Sequence, residues 1–201
     1  MKIGNAPVAT WVFGYGSLVS PESISRTIDR RPEFGVDVFV AHLDGYGRRW
    51  NYGSIVLRGD WSHNGANIED GVVISLGVVA GEGERCNGVV FAVTADELAA
   101  LDWRERDYRR VEVTAAVDHE APADLVREVV LYVPSPDSIA RYEDARDAGR
   151  AAIRQTYWDL VHDGFNSLGD AHGAMMRTTP LPDVPVVNIE MRPRPPGSRR
   201  T

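Results

Sequence analysis

The chain has 201 residues, 43% of them hydrophobic, which is enough for one well-buried core of ordinary single-domain size. Its net charge of -7 gives no general attraction to polyanions, and it contains no apolar stretch of the roughly 20 residues that a membrane-spanning helix needs. Nucleic acid and membrane are therefore excluded as expected partners. Because no basic-then-apolar secretion signal opens the chain, we expect a soluble, cytoplasmic protein with one domain over residues 1–185 and a loosely packed Pro/Arg-rich tail over residues 186–201.

The first elements predicted in chain order are a short strand, a glycine loop and a helix. Residues 10–13 are aromatic and β-branched, and residues 14–17, Gly-Tyr-Gly-Ser, interrupt them. Ser20 followed by Pro21 is typical of a helix N-terminus, where a capping serine precedes a proline at the first helical position. A glycine-rich loop ahead of a capped helix presents several backbone N–H groups to an anion. The segment therefore favours binding of a carboxylate or a phosphate.

Two other functional interpretations of this loop do not fit its residues. A dinucleotide-binding fingerprint needs glycine or alanine where the chain has Val19. A nucleophile elbow needs a spacer residue on each side of its serine, whereas Ser17 follows Gly16 directly. Ser17 is accordingly interpreted as a hydrogen-bonding group. A tight strand-to-helix turn with no ligand is an equal alternative on these residues alone.

Predicted strands dominate the middle of the chain. Residues 34–41 favour a strand, and residues 58–70 are polar and rich in Asn and Gly, which predicts an exposed, mobile loop. Residues 71–79 and 87–93 are β-branched and predict a hairpin whose turn is formed by residues 80–85.

A short helix and further strands follow. Residues 94–97, Thr-Ala-Asp-Glu, form a capping box, which predicts a helix that ends at about Arg104. Residues 111–117 and 128–133 alternate well enough to be strands, and apolar residues at helical spacing predict one helix over residues 141–161. Strands outnumber helices and do not alternate with them regularly. The pattern therefore predicts an α+β fold with a mixed, barrel-like sheet and flanking helices.

Glu105 is the candidate acid/base. It follows the capped helix, where unsatisfied carbonyl groups and partial burial raise the pKa of a carboxylate, whereas Arg104 and Arg106 lower it. Taken alone, a glutamate among arginines is usually a solvated ion pair.

Metal and thiol chemistry are not predicted. The five histidines have no metal-site spacing, and Cys86 has no cysteine partner. A lone cysteine before a strand is more often a buried thiol than a nucleophile.

Four segments, in order along the chain, resemble the γ-glutamylcyclotransferase superfamily, and most closely its ChaC-like branch of glutathione-degrading enzymes. They are residues 12–18 (VFGYGSL), 45–50 (GYGRRW), 88–91 (GVVF) and 101–105 (LDWRE). Agreement in order over this span makes a chance match improbable.

The resemblance implies a γ-glutamylcyclotransferase-like fold and an enzyme that cleaves a γ-glutamyl amide: glutathione, a γ-glutamyl amino acid or a γ-glutamyl amine. The substrate's own α-amine would attack the γ-carbonyl and release 5-oxoproline. Glu105 is then the proton carrier. The substrate-binding residues implied are Tyr15, Gly16, Ser17, Leu18 and Tyr132. No metal or organic cofactor is required, and the protein is expected to be a monomer or a homodimer.

Two alternatives stay open. The first is a non-catalytic small-ligand-binding module on the same fold, because Arg106 and Asp107 stand where the ChaC-like pattern has two glycines. The second keeps the chemistry but changes the substrate to a γ-glutamyl amine or acyl intermediate. The pocket beyond the glutamyl group is the part that these motifs constrain least.

Overall fold

The computed structural model describes residues 10–192, and these form a nine-stranded mixed sheet with five α-helices. The strands are β1 (Thr10–Gly14), β2 (Val38–His63), β3 (Ala66–Val93), β4 (Tyr108–Glu112), β5 (Val117–His119), β6 (Val129–Pro134), β7 (Ala151–Arg154), β8 (Val186–Val187) and β9 (Glu190–Met191). The helices are α1 (Pro21–Ile28), α2 (Ala95–Arg104), α3 (Pro136–Asp147), α4 (Gln155–Ser167) and α5 (Asp170–Arg177). The predicted α+β class with a mixed sheet is confirmed.

Strand β1 lies in the middle of the sheet, whose main order is β4-β6-β1-β3-β2-β5. It pairs antiparallel with β3 and parallel with β6, so that Phe13 lies opposite Leu131. All five residues of β1 are buried, so side chains on both faces of this strand are shielded from water, which explains its uninterrupted apolar run. The glycine loop therefore leaves the centre of the sheet beside β6.

The loop predicted over residues 58–70 is wrong. Strands β2 and β3 continue through this segment and pair down to His63 and Ala66. They are joined by Asn64 and Gly65, both with positive φ (48° and 78°), as a two-residue hairpin turn requires. The polar composition belongs to a hairpin rather than to a mobile loop, and Trp61 within it is only 1% exposed.

The hairpin predicted over residues 71–93 is also wrong, because β3 does not reverse. Both predicted strands belong to β3 and pair with β2. The expected turn is a bulge, in which residues 81–84 lie opposite Gly45, between the pairs Asp44–Arg85 and Tyr46–Ala80. Glycine-rich sequence suits a bulge as well as a turn, and only the partner strand distinguishes the two.

The single helix predicted over residues 141–161 is two helices. Helix α3 ends before Gly149, whose φ of +65° is left-handed, and α4 begins at Gln155. Strand β7 lies between them and pairs in parallel with residues 72–74 of β3. Ile153 is fully buried there, so sheet pairing outweighs the helical spacing of the apolar residues.

Two predicted strands are correct only in part. Strand β2 begins at Val38 rather than at residue 34. The segment 111–117 contains the end of β4, a 3₁₀ turn over Thr114–Ala116 and the first residue of β5. The strand over residues 128–133 is confirmed as β6.

The predicted starts of the first two helices are confirmed. The Ser20 side chain accepts a hydrogen bond from the Ser23 amide at the start of α1. Thr94 and Glu97 form both hydrogen bonds of the capping box, and α2 ends at Arg104 as predicted. These two helices fix the loop after β1 and the position of Glu105.

The predicted tail is only partly described. Its residues up to Arg192 do not pack loosely, because β8 pairs with β7 and β9 pairs with β2. Residues 193–201 lie outside the described part of the chain, so the division at residue 185 stays a prediction. Within residues 10–192, none of the helices has the length and apolarity to cross a membrane.

Candidate active site

A cavity open to solvent lies between the glycine loop and the end of α2, with about 340 Å³ of empty space when the solvent at its mouth is included. Its walls are mostly aromatic and apolar, with one carboxylate, and consist of Phe13, Tyr15, Gly16, Ser17, Leu18, Leu76, Glu105, Tyr108, Tyr132 and Tyr157. All six site residues predicted from the sequence are among them. Their roles in binding and catalysis stay predictions.

The glycine loop is held in a tight fold. A Cβ on Gly14 would lie 2.6 Å from the carbonyl oxygen of Leu18, so no larger residue fits there without moving the loop. The Tyr15 hydroxyl donates to the Tyr132 carbonyl oxygen at 2.8 Å, which fastens the loop to β6. Ser17 begins a 3₁₀ turn that leads into α1.

Three amides of this loop have no acceptor. Within residues 10–192, the N–H groups of Gly16, Ser17 and Leu18 donate to no backbone or side-chain oxygen. N–H groups that have no acceptor, and that lie beside a cavity and next to a helix N-terminus, are suited to binding an anionic group.

Glu105 is the C-cap residue of α2, with its amide donating to the Leu101 carbonyl at 2.8 Å. Its own carbonyl accepts from the Tyr108 amide, and this turn directs the side chain into the cavity. The side chain is only 14% exposed. Burial raises the pKa of the Glu105 carboxyl, against the opposing effect of the Arg104 charge and hydrogen bond.

Arg104 connects the carboxylate to the glycine loop. Its Nε lies 2.9 Å from Glu105 Oε1, and its Nη2 donates to the Ser17 hydroxyl at 3.0 Å. Its Nη1 donates to the Ser23 carbonyl and the Thr27 hydroxyl of α1. Sequence reasoning treated Arg104 only as a neighbouring charge, because nothing in the sequence shows where its side chain reaches.

Arg106 does not have the predicted effect on Glu105. Its guanidinium lies over the Trp103 ring, 5.0 Å from the centroid, and donates to the Trp103 carbonyl. Only one of the two flanking arginines therefore affects the carboxylate.

Two cavity tyrosines were missed as site residues. The Tyr108 hydroxyl donates to the Leu76 carbonyl at 3.3 Å, and the Tyr157 hydroxyl accepts from the Leu76 amide at 3.3 Å. Burial raises the pKa of Tyr157 to about 12 and raises that of Tyr108 further, so both phenols are neutral near pH 7. Tyr157 belongs to an apolar helical stripe in sequence, which conceals this position.

Tyr132 lines the cavity as predicted, but its hydroxyl is engaged. It donates to Asp102 Oδ1 at 2.7 Å, and Asp102 also pairs with Arg110. Tyr132 thus ties β6 to α2 in addition to accepting the Tyr15 hydrogen bond at its carbonyl.

The arrangement places a buried carboxylate and three loop amides without an acceptor on the same cavity. No three His, Cys, Asp or Glu side chains of residues 10–192 cluster as metal ligands. Cys86 is buried, and burial raises the pKa of its thiol to about 11, which keeps it protonated near neutral pH.

Comparison with known proteins gives a family match over most of the chain. The family model described as ChaC-like protein matches residues 10–155. A curated relative from Arabidopsis thaliana, Gamma-glutamylcyclotransferase 2-3, is 30% identical over 136 residues, which are 65% of this chain and 60% of the relative. The chain thus spans about three fifths of the length of that relative.

Solved structures show the same fold at lower identity. One described as gamma-glutamyl cyclotransferase is 18% identical, with a TM-score of 0.50 over 86% of this chain and 89% of the other. A yeast gamma-glutamyl cyclotransferase specific to glutathione is 14% identical, with a TM-score of 0.50 over 85% of this chain and 95% of the other.

Proposed function

Because this chain belongs to the ChaC-like protein family, we propose that it is a γ-glutamylcyclotransferase, which cleaves a γ-glutamyl amide and releases 5-oxoproline. The observation that carries the proposal is the position of the Glu105 carboxylate, which lines the same cavity as the amides of Gly16 to Leu18. The name of the Arabidopsis relative supports the reaction class.

The glycine loop would bind the glutamyl end of the substrate. The amides of Gly16, Ser17 and Leu18 are suited to its α-carboxylate, and the adjoining helix N-terminus favours the same charge. Arg104, which holds the Ser17 hydroxyl, adds a positive charge beside this position. The α-amine then lies between the loop and Glu105.

The first step is an intramolecular attack. Glu105 in its ionised form accepts a proton from the substrate's α-ammonium group, and the freed amine attacks the γ-carbonyl carbon. A C–N bond forms, and the carbonyl oxygen becomes an oxyanion. Holding the amine about 3 Å from the carbonyl carbon removes most of the entropic cost of ring closure.

The Tyr157 hydroxyl is the donor suited to that oxyanion. It accepts a hydrogen bond from the Leu76 amide and lies in the cavity wall near Gly16 and the Ser75 side chain. Its raised pKa keeps the phenol protonated. A neutral donor placed before the reaction stabilises developing negative charge without reorganisation.

In the second step the tetrahedral intermediate collapses. The bond between the γ-carbon and the leaving nitrogen breaks, while Glu105 returns its proton to that nitrogen. Glu105 then removes the remaining extra proton from the new ring nitrogen and releases it to solvent. The products are 5-oxoproline and a free amine, and Glu105 is again ionised. No water is consumed.

The test is a panel of glutathione, γ-glutamyl amino acids and γ-glutamyl amines, with 5-oxoproline measured by mass spectrometry. Glutathione is included because the yeast protein of the same fold is specific to it. Release of 5-oxoproline from at least one compound is expected. Calorimetric binding without release would instead support a non-catalytic binding module, and neither binding nor release would contradict both functions.

A further inference from the structure

Asp107 lies between two residues of the proposed active site but does not itself line the cavity. Glu105 precedes it by two positions and Tyr108 follows it directly, and both line the cavity. The Tyr108 amide donates to the Glu105 carbonyl oxygen at 2.8 Å, so these residues form one tight turn between α2 and β4. A shift of the turn at Asp107 would therefore displace the candidate base and a wall of the cavity together.

Two hydrogen bonds attach Asp107 to helix α3. Its carboxylate accepts from Arg141 Nη1 at 2.8 Å. Its carbonyl oxygen accepts from the amide of Ser135, the N-cap residue of α3, at 3.4 Å. The side chains of the ion pair are 12% and 17% exposed for Asp107 and Arg141. An ion pair this far from water is little screened by salt, and removing one partner leaves the other charge nearly buried.

Arg141 also attaches the turn to strand β2. The same Nη1 atom donates to the Gly53 carbonyl oxygen at 2.5 Å. Gly53 packs directly on α3, where an added Cβ would lie 2.7 Å from a backbone nitrogen of that helix. One residue earlier in β2, the Tyr52 ring stacks on Tyr108 with the centroids 4.2 Å apart. The turn is thus held from two sides, by α3 through Asp107 and by β2 through Tyr108.

Asp107 is one of two residues at which this chain departs from the ChaC-like pattern, which has two glycines there. Glycine has no side chain, so a turn with glycine at this position cannot form the ion pair with Arg141. In this chain the Glu105 turn therefore has an attachment to α3 that the pattern itself does not supply.

Resting on the proposed function, we propose that Asp107 and Arg141 are positioning residues, whose ion pair holds the Glu105 carboxylate where it meets the α-amine of the substrate. A general base works only within hydrogen-bond reach of the proton that it accepts. The glycine loop, which would bind the glutamyl carboxylate, is attached to Arg104 and to β6 instead. Loss of the ion pair should therefore lower kcat, which reports the chemical step, more than it changes KM.

The test measures kcat and KM for 5-oxoproline release by Asp107→Asn, Arg141→Met and the double variant, on the γ-glutamyl compound of the panel that reacts fastest. Each single variant should lower kcat by about 10-fold with little change in KM, since a reacting group misplaced by about 1 Å can cost up to about 100-fold. The double variant should lose no more than the weaker single variant, because partners in one ion pair are not additive. It leaves no unpaired charge, so it keeps the test decisive if a single variant does not fold.

The pH profile separates positioning from a direct effect of charge. Burial and Arg104 set the pKa of the Glu105 carboxyl, and the substitutions leave Arg104 in place. The acidic limb of kcat/KM should therefore stay at the wild-type pH while the plateau falls. A limb that moves in Asp107→Asn would overturn the positioning role and show that Asp107 acts on Glu105 through its charge.

Asp37→Asn is the matched control for Asp107→Asn. Asp37 pairs with Arg30, their side chains are 11% and 14% exposed, and neither lines the cavity. The same substitution at this comparably buried ion pair should lower the Tm but leave kcat at the wild-type value. A kcat for Asp107→Asn as high as that of Asp37→Asn would overturn the proposal and leave the pair a purely structural role.

Failure of the proposed function gives a different result. In that case the wild-type protein yields no more 5-oxoproline than Glu105→Gln from any compound of the panel, and the positioning role fails with it. If the wild type is active and only the ion-pair variants match it in kcat, the proposed function stands and this inference alone is wrong.

Discussion

Arg104 Nε lies 2.9 Å from Glu105 Oε1, so the candidate base and the residue before it in the chain form an ion pair at the end of α2. The same guanidinium donates to the Ser17 hydroxyl of the glycine loop. Arg104 therefore acts on both halves of the proposed site, setting the proton affinity of the carboxylate and the position of the loop.

Replacing Arg104 should move the pH profile of the reaction. Arg104 lowers the pKa of Glu105 against the raising effect of burial, so Arg104→Met should raise that pKa further. Because Glu105 must be ionised to accept a proton, the acidic limb of kcat/KM for 5-oxoproline release should move to higher pH. Arg104→Lys keeps a charge and should move the limb less. A limb at the wild-type position in Arg104→Met would contradict the role assigned to the ion pair.

Glu105→Gln should keep the fold and lower kcat by about 100-fold or more, the scale of a lost general acid/base. The glutamine fills the same volume but accepts no proton at neutral pH. Glu143→Gln, on the exposed face of α3, is the matched control and should retain wild-type turnover. The measurement is 5-oxoproline release on whichever γ-glutamyl compound reacts fastest, and wild-type release by Glu105→Gln would refute the assignment.

The difference in thermal stability between Glu105→Gln and the wild type should depend on pH. Burial raises the folded-state pKa of Glu105 above its unfolded value, so this residue contributes stability at low pH that is lost as pH rises through the folded-state pKa. Glutamine has no such loss. The Tm of Glu105→Gln should therefore rise relative to wild type between acidic and alkaline buffers. A difference in Tm that stays constant with pH would show that the buried carboxylate carries no such cost.

Local signals predicted the elements that form the site. The caps at Ser20 and Thr94 depend on hydrogen bonds that span three residues, and both are present. Placing Glu105 at the end of α2 followed from the second cap. The turn at Asn64 and Gly65 could also have been predicted, since Asn-Gly is a strong hairpin signal. The polar composition around this dipeptide favours a loop instead, and it outweighed the signal.

Long-range contacts could not be predicted in this way. Arg104 and Ser17 are 87 residues apart, and only the packing of α1 against α2 brings them together. Tyr157 has the spacing of a core residue on α4, and its place in the cavity depends on β3 passing beside it. Strand β7 lies in a segment whose apolar residues have helical spacing. It forms a strand because it pairs in parallel with residues 72–74 of β3.

Tyr157→Phe should lower kcat by about 10- to 100-fold with little change in KM, as expected for one lost oxyanion donor. The variant keeps the ring and removes only the hydroxyl that accepts from the Leu76 amide. Tyr142→Phe is the control, because the Tyr142 hydroxyl bonds to Asp183, and neither residue lines the cavity. It should retain wild-type kcat. Equal losses in the two variants would indicate a general structural effect instead.

Gly88→Ala should destabilise the protein and also disturb the site. A Cβ on Gly88 would lie 2.2 Å from the Gly14 carbonyl oxygen and 2.9 Å from the Phe13 ring, so β1 and β3 must separate. We expect a loss of about 1–3 kcal/mol in the free energy of unfolding, and a higher KM because Gly14 leads into the substrate loop.

Gly164→Ala is the matched control, since its Cβ would lie 3.6 Å from Val19 in ordinary contact within α4. It should gain about 0.5–1 kcal/mol, the usual preference for alanine inside a helix. Urea unfolding of the two variants measures both values, and a Gly88→Ala protein as stable as the wild type would show that the strands can part there at no cost.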